Sequence, residues 1–130
     1  MNIIEEIERS ELEKKYKYRL IKYINFALEN VFKTKAKIDF KFFQINPGRN
    51  SIQYIKYIDI KDSKKGYVMN GVMYISDWTM EQDKNVLMKI VIHELLHILC
   101  PEYSENQVVN ETDRKFNTLE KSIKWKVFYR

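Results

Sequence analysis

The run from Ile90 to Leu99 constrains the fold of this chain most strongly. It is apolar except for His93, Glu94 and His97, and its two histidines are the only ones in the protein. A run with so little charge predicts a helix that is buried on most of its sides. Burying three polar side chains among Ile and Leu is costly unless they have partners. The run therefore indicates a core helix built around a polar site.

The spacing of these polar residues is that of an HExxH motif. His93 and His97 are four residues apart, which places both imidazoles on one face of a helix. Two imidazoles at that spacing suit a single Zn²⁺ ion. Glu94 is one position off that face, so we expect it to be the general base toward a metal-activated water and not a ligand. The structural alternative is a core helix with two hydrogen-bonded histidines and a buried glutamate.

A catalytic zinc site takes three protein ligands and keeps one position open. No third histidine exists, which excludes the longer histidine pattern of metzincins. The third ligand is then Cys100 or a downstream acid. The downstream acids are Glu102, Glu105, Glu111, Asp113 and Glu120.

Glu105 is the expected third ligand. Pro101 disfavours helical geometry at Cys100, so the motif helix is predicted to stop there. Ser104 and Gln107 have the spacing of a capping box, which predicts that a second helix starts at once. A tight turn between the two helices would bring Glu105, in the first turn of the second helix, back beside the histidines.

Two alternatives to Glu105 stay open. Glu111 lies roughly 120° around the second helix from Glu105, at about 100° per residue, so the two acids do not face one ion together. Cys100 shares the helical face of His93 and His97, and thiolate is a good zinc ligand. Three ligands from one straight helix do not easily converge, however, and a buried structural thiol is the other role for Cys100.

The rest of the chain predicts one α+β domain over residues 1–130. We expect a long N-terminal helix over 3–32, and strands over 36–45 and 52–60 that form an antiparallel hairpin. A short strand over 67–69, a tight turn at Asn70-Gly71 and a last strand over 72–76 follow. Asp77 or Thr79 is expected to cap the motif helix. A final helix over 104–122 precedes an apolar tail that packs on the core or adds a strand: Trp125, Val127, Phe128 and Tyr129.

The composition limits which cellular compartment and which kinds of partner we expect. A single cysteine excludes an internal disulfide and fits a reducing compartment. No targeting segment and no stretch of membrane-spanning length are visible, so we expect a cytoplasmic protein without a membrane partner. The net charge is +5, but the lysines do not form a clear basic patch, and nucleic acid is not the expected primary partner. The sequence does not indicate an oligomeric state.

Residues 76 to 115 resemble the small zincin-like metallopeptidases of the ImmA/IrrE and phage-type SprT-like kind. The resemblance is carried by the HExxH run and by the segment 101–108 that follows it. In ImmA/IrrE-like proteins the motif is followed by a glutamate, a small apolar residue and often an asparagine, and Glu105, Val108 and Asn110 echo that order. SprT-like proteins usually carry a third histidine, which this chain lacks.

The resemblance implies a zincin-like fold and a zinc-dependent protease in which Glu105 completes the site. It also implies that the strand from Gly71 to Ser76 is an edge strand that receives a peptide or protein substrate as an added strand. Tyr103 is considered as an oxyanion donor, and Asn110 or Asp113 as a partner of the imidazoles. The alternative functions are a regulatory binding protein that keeps the metal in a phage–host or repressor interaction, a protease of DNA-bound proteins, and a small toxin.

Overall fold

The computed structural model describes residues 3–43 and 65–128. Within those residues the protein is α+β, as predicted, with five α-helices and a three-stranded mixed sheet. The helices are α1 (Ile3–Ala27), α2 (Asp77–Met80), α3 (Lys84–Leu99), α4 (Glu105–Glu120) and α5 (Ile123–Lys126). The strands are β1 (Asp39–Phe43), β2 (Gly66–Met69) and β3 (Val72–Ser76). A π-helical turn, Leu28–Phe32, extends α1 to the predicted end of the long N-terminal helix.

The sheet has the strand order β1-β3-β2. β1 is parallel to β3, with Phe40 opposite Met73 and Phe42 opposite Ile75, whereas β2 is antiparallel to β3. The sequence predicts a small, mostly antiparallel sheet; one of the two pairings among the described strands is parallel, so the described sheet is mixed. Pairing with β3 brings the apolar side chains of β1 into the core. The predicted partner strand over 52–60 lies outside the described residues.

The prediction that the last strand is an edge strand is wrong. β3 lies in the centre of the described sheet, and β2 takes the edge position. The reason is the hairpin between them. Asn70 and Gly71 have φ angles of 53° and 77°, which is the left-handed geometry of a two-residue hairpin turn. The predicted Asn-Gly turn is thus confirmed, and it folds β2 back along one side of β3.

Helix α3 is the centre of the core, as predicted. One apolar face of α1 packs with it, and the buried side chains of that face recur at helical spacing: Tyr16, Leu20, Tyr23, Ile24, Ala27 and Leu28. Arg19 fixes the connection before α3, because its guanidinium donates to Met80 O at 2.6 Å and to Gln82 O at 2.8 Å. These contacts set where α3 begins relative to α1.

The cap of α3 is Asp83, whose carboxylate accepts from Val86 N at 3.0 Å. The expectation that Asp77 or Thr79 caps this helix is wrong, because the short helix α2 intervenes and is itself capped by Ser76. The predicted end of the motif helix is confirmed, since α3 stops at Leu99. Among the helices of the described residues, none combines the length and the apolar character that a bilayer crossing requires.

The C-terminal segment packs on the core and, over its described residues, forms the short helix α5 rather than a strand. Trp125 is 2% exposed, and its indole Nε1 donates to Asn85 Oδ1 at 3.0 Å. Its ring lies 6.3 Å from the ring of Tyr23 and 5.6 Å from that of Phe26. Lys84 Nζ donates to Trp125 O at 2.6 Å. Trp125 therefore joins α1 to the first turn of α3.

We predict that Trp125→Ala lowers the free energy of unfolding by about 3–5 kcal/mol, because it opens a cavity between α1 and α3. The measurement is urea denaturation followed by circular dichroism. Val127→Ala is the control: that side chain is 76% exposed, and its loss should change stability by no more than about 0.5 kcal/mol. Equal stability of both variants would contradict the anchoring role.

Candidate metal centre

A five-residue connection from Cys100 to Ser104 joins α3 to α4. Cys100 N donates to Leu96 O at 2.8 Å, and Tyr103 N donates to Cys100 O at 3.0 Å. Ser104 then starts α4 with the predicted capping box: its hydroxyl accepts from Gln107 N at 3.2 Å, and Gln107 Oε1 accepts from Ser104 N at 2.7 Å. The connection is tight, and it turns the first residue of α4 back toward α3.

This turn brings His93, His97 and Glu105 together. Glu105 Oε1 lies 3.0 Å from His93 Nε2, and Glu105 Oε2 lies 3.0 Å from His97 Nε2. One ligating atom from each residue lies within 4.8 Å of the others. Ligand atoms around a tetrahedral zinc, each about 2.0–2.2 Å from the ion, are separated by roughly 3.4 Å. The three side chains are therefore compatible with a shared metal ion.

The protonation state of His93 favours a bound cation. Burial lowers the pKa of His93, and the nearby Glu105 carboxylate, the next largest influence, opposes that shift. The net lowering keeps this imidazole neutral at pH 7, which is the form that binds a metal. Each Nε2 faces a carboxylate oxygen at 3.0 Å, so a cation bound at this position would be held by both rings and by Glu105.

Glu94 is the most unusual group of the site. Its side chain is 4% exposed, and Oε1 has no hydrogen-bond partner within the described part of the chain. Burial, and then the charge of Glu105, raise the pKa of Glu94 to about 8. A carboxyl group with a buried oxygen that has no partner is costly, and a buried acid with a raised pKa beside candidate metal ligands is a candidate functional group.

These residues lie in an open cleft of about 970 Å³. β2 and the residue before it form one wall, α3 forms the floor, and the first half of α4 forms the other wall. The lining residues are Lys65, Gly66, Tyr67, Val68, Lys89, Ile90, His93, Glu94, His97, Pro101, Glu105, Val109 and Thr112. The cleft is large enough to admit an extended peptide segment.

Gly66 allows β2 to lie close to β3 at the point where it passes over Glu94. A Cβ atom on this residue would be 2.8 Å from Tyr74 O, 3.1 Å from Ile75 Cδ1 and 3.5 Å from Glu94 Cγ. The first of these contacts is with backbone and is shorter than van der Waals packing permits. A glycine is therefore required where the edge strand passes over the candidate base.

The two alternative ligands lie outside the cluster. Glu111 pairs with the guanidinium of Arg114, through contacts of 2.9 and 2.6 Å, and this hydrogen bond lowers the pKa of Glu111. Cys100 is half-buried beside Tyr103. The remaining acids considered from the sequence are exposed and also lie outside the cluster: Glu102, Asp113 and Glu120.

The supporting residues expected from the sequence are not at the cleft. Tyr103 does not line it, and Asn110 and Asp113 are exposed on α4. Thr112 lines the cleft instead, and its buried Oγ1 has no hydrogen-bond partner among the described residues. Thr112 is seven residues after Glu105, which places it on the same face of α4. The seven-residue spacing from Glu105 was the feature of the sequence that could have identified Thr112.

No protein family model, curated protein or solved structure matches this chain. The resemblance to zincin-like metallopeptidases therefore rests on the motif residues alone and stays a prediction.

We predict that Gly66→Ala lowers the free energy of unfolding by about 1–3 kcal/mol, because the new methyl group forces β2 away from β3 or from α3. Chemical denaturation measures the effect. Val68→Ala, in the same strand, is the comparison, since it removes atoms and creates no clash. A Gly66→Ala variant as stable as wild type would contradict the close packing of β2 on β3.

We also predict a pH-dependent difference in stability between Glu94→Gln and wild type, both measured free of metal. Because folding raises the pKa of Glu94 from 4.5 to about 8, the folded protein holds a proton that the unfolded chain has lost between those values. The stability of wild type should therefore fall, relative to Glu94→Gln, as the pH rises from about 5 to 8. Urea denaturation at several pH values tests this, and a constant difference would contradict it.

Proposed function

We propose that this protein is a zinc-dependent peptidase. His93, His97 and Glu105 hold the ion, and Glu94 is the general base. The observation that carries the proposal is the contact of both Glu105 carboxylate oxygens with the two Nε2 atoms, each at 3.0 Å. A buried carboxyl group and an open cleft lie at the same place, and hydrolysis needs both.

The choice of zinc follows from the ligand types. Two imidazoles and one carboxylate are a common ligand set of catalytic zinc. Calcium and magnesium prefer oxygen ligands throughout, and the latter usually keeps several waters. Three protein ligands also leave a position for substrate or solvent, which a structural zinc site with four protein ligands does not.

The residues of the chain divide the chemistry between them. A zinc ion supplies Lewis acidity that polarises a carbonyl oxygen and lowers the pKa of water towards about 7. Glu94 takes a proton from the attacking water and passes it to the amine that leaves. Without metal the pKa of Glu94 is raised to about 8; a bound cation would lower it, because a nearby positive charge favours the carboxylate, and the carboxylate is the form that accepts a proton.

An extended peptide is the substrate that suits the cleft. β2 is the edge strand of the described sheet, and its residues Gly66, Tyr67 and Val68 line the wall that faces the site. A sheet edge offers backbone N–H and C=O groups that an added strand can pair with. We therefore propose that the substrate strand pairs along β2 and not, as the sequence suggested, along β3.

We predict that wild-type protein binds about one zinc ion per chain, as the three ligating residues of the site provide for, and cleaves peptides. Glu94→Gln should keep the zinc and lose cleavage, because only the base is removed. His93→Ala and Glu105→Ala should weaken zinc binding by at least about tenfold. Zinc is measured by mass spectrometry and competition with a chelator, and cleavage is measured on a peptide library.

Glu111→Gln is the matched control, because Glu111 is an acid of the same helix that pairs with Arg114 and lies outside the cluster. It should bind zinc and cleave as wild type does. A wild-type protein that takes up no zinc would sink the proposal. Zinc uptake without cleavage of any peptide would favour the alternative of a metal-holding recognition protein.

A further inference from the structure

Two lysines line the cleft beside the metal centre. Lys65 precedes β2 and Lys89 lies on α3, and both are exposed. Within residues 3–43 and 65–128, neither has a carboxylate at ion-pair distance. Most of the surface charge of a protein is simply solvated, but these two ammonium groups line the cavity where the proposed reaction takes place.

The position of Lys89 is set by the packing of α3 and α4. It is four residues before His93, so it lies on the same helical face, about 6 Å along the axis. Its Nζ lies 5.3 Å from the centre of the Phe116 ring on α4. An aromatic face attracts an ammonium group at that distance. The ammonium group of Lys89 therefore lies along the cleft wall between α3 and α4.

The position of Lys65 is set by its backbone. Its carbonyl oxygen accepts from Ser76 N at 3.0 Å and from Thr79 Oγ1 at 2.8 Å. Its side chain also lines the cleft together with His93. Lys65 thus lies at the start of the β2 wall, beside the first candidate ligand.

We propose that Lys65 and Lys89 select peptides that carry an aspartate or glutamate close to the cleaved bond. The inference rests on the proposed peptidase function and names its substrate class. A peptide paired along β2 would pass Lys65, and side chains that point into the cleft would pass Lys89. Charge complementarity of this kind excludes wrong partners more than it adds affinity.

A peptide fits the lining of the cleft better than a nucleic acid does. Val68, Ile90 and Val109 give it apolar surface. Apolar side chains suit an extended polypeptide, whereas the binding of a phosphate backbone depends mainly on positive charge. Two lysines are also fewer than the basic stripe that nucleic-acid binding usually requires.

The test is to map cleavage sites in a library of peptides of natural sequence, using zinc-loaded wild-type protein and mass spectrometry. We expect aspartate and glutamate to be enriched within three residues of the cleaved bond, and each lysine to account for about two- to fivefold of the preference. Lys65→Glu and Lys89→Glu should shift the preference to lysine and arginine. Lys65→Gln and Lys89→Gln should reduce it without reversing it.

Lys15→Glu is the matched control, because Lys15 is an exposed lysine of α1 that does not line the cleft. It should leave the cleavage profile unchanged. Cleavage without acidic enrichment, or the same profile in all lysine variants, would overturn this inference and leave the peptidase function standing. No cleavage by zinc-loaded wild type would remove both. Inhibition by duplex DNA that depends on Lys65 and Lys89 would assign the lysines to nucleic acid and also overturn the inference.

Discussion

The contact between the Glu105 carboxylate and the two imidazoles of α3 is the constraint on which the site depends. It crosses from the first turn of α4 to the middle of α3, and the short connection after Cys100 makes it possible. Glu105 is 65% exposed in its side chain, and an ion pair so exposed contributes no more than about 1 kcal/mol. The packing of α4 on the core therefore brings Glu105 to the imidazoles. The contact itself is too weak to hold the two helices together.

The packing beneath it is apolar and much stronger. α4 buries Val108, Phe116 and Leu119, and burying each side chain of this kind is worth about 1.5–3 kcal/mol. These residues hold α4 against the rest of the core before any ligand is present. The candidate metal centre is consequently arranged in advance by the core, which limits the ordering cost that a bound ion would have to offset.

The local parts of this arrangement could be predicted from the sequence, and the non-local parts could not. The spacing of His93 and His97, the stop at Cys100 and the capping box at Ser104 each depend on residues within one or two helical turns. They sufficed to place Glu105 beside the histidines. The Asn70-Gly71 turn is equally local, and the sequence identified it.

Strand order depends on partners distant in the chain. No feature of β1 alone indicates that it runs parallel to β3, and the position of β2 at the edge follows only once that pairing is known. The role of Gly66 is hidden for the same reason, because its neighbours Tyr74 and Glu94 come from other elements. Thr112 differs: its seven-residue distance from Glu105 is visible in the sequence, but threonine is ordinary enough that spacing alone does not single it out.

The floor of the cleft, α3, and its β2 wall are held unequally by the rest of the fold, and this affects how the protein moves. α3 is enclosed by the core along most of its length, so its backbone amides should open to solvent only when the whole domain unfolds. β2, in the described sheet, is bonded to β3 alone, and strands bonded on one side open in smaller, cheaper fluctuations. The β2 wall would then move to accommodate ligands of different size, while α3, which bears the imidazoles, keeps its shape.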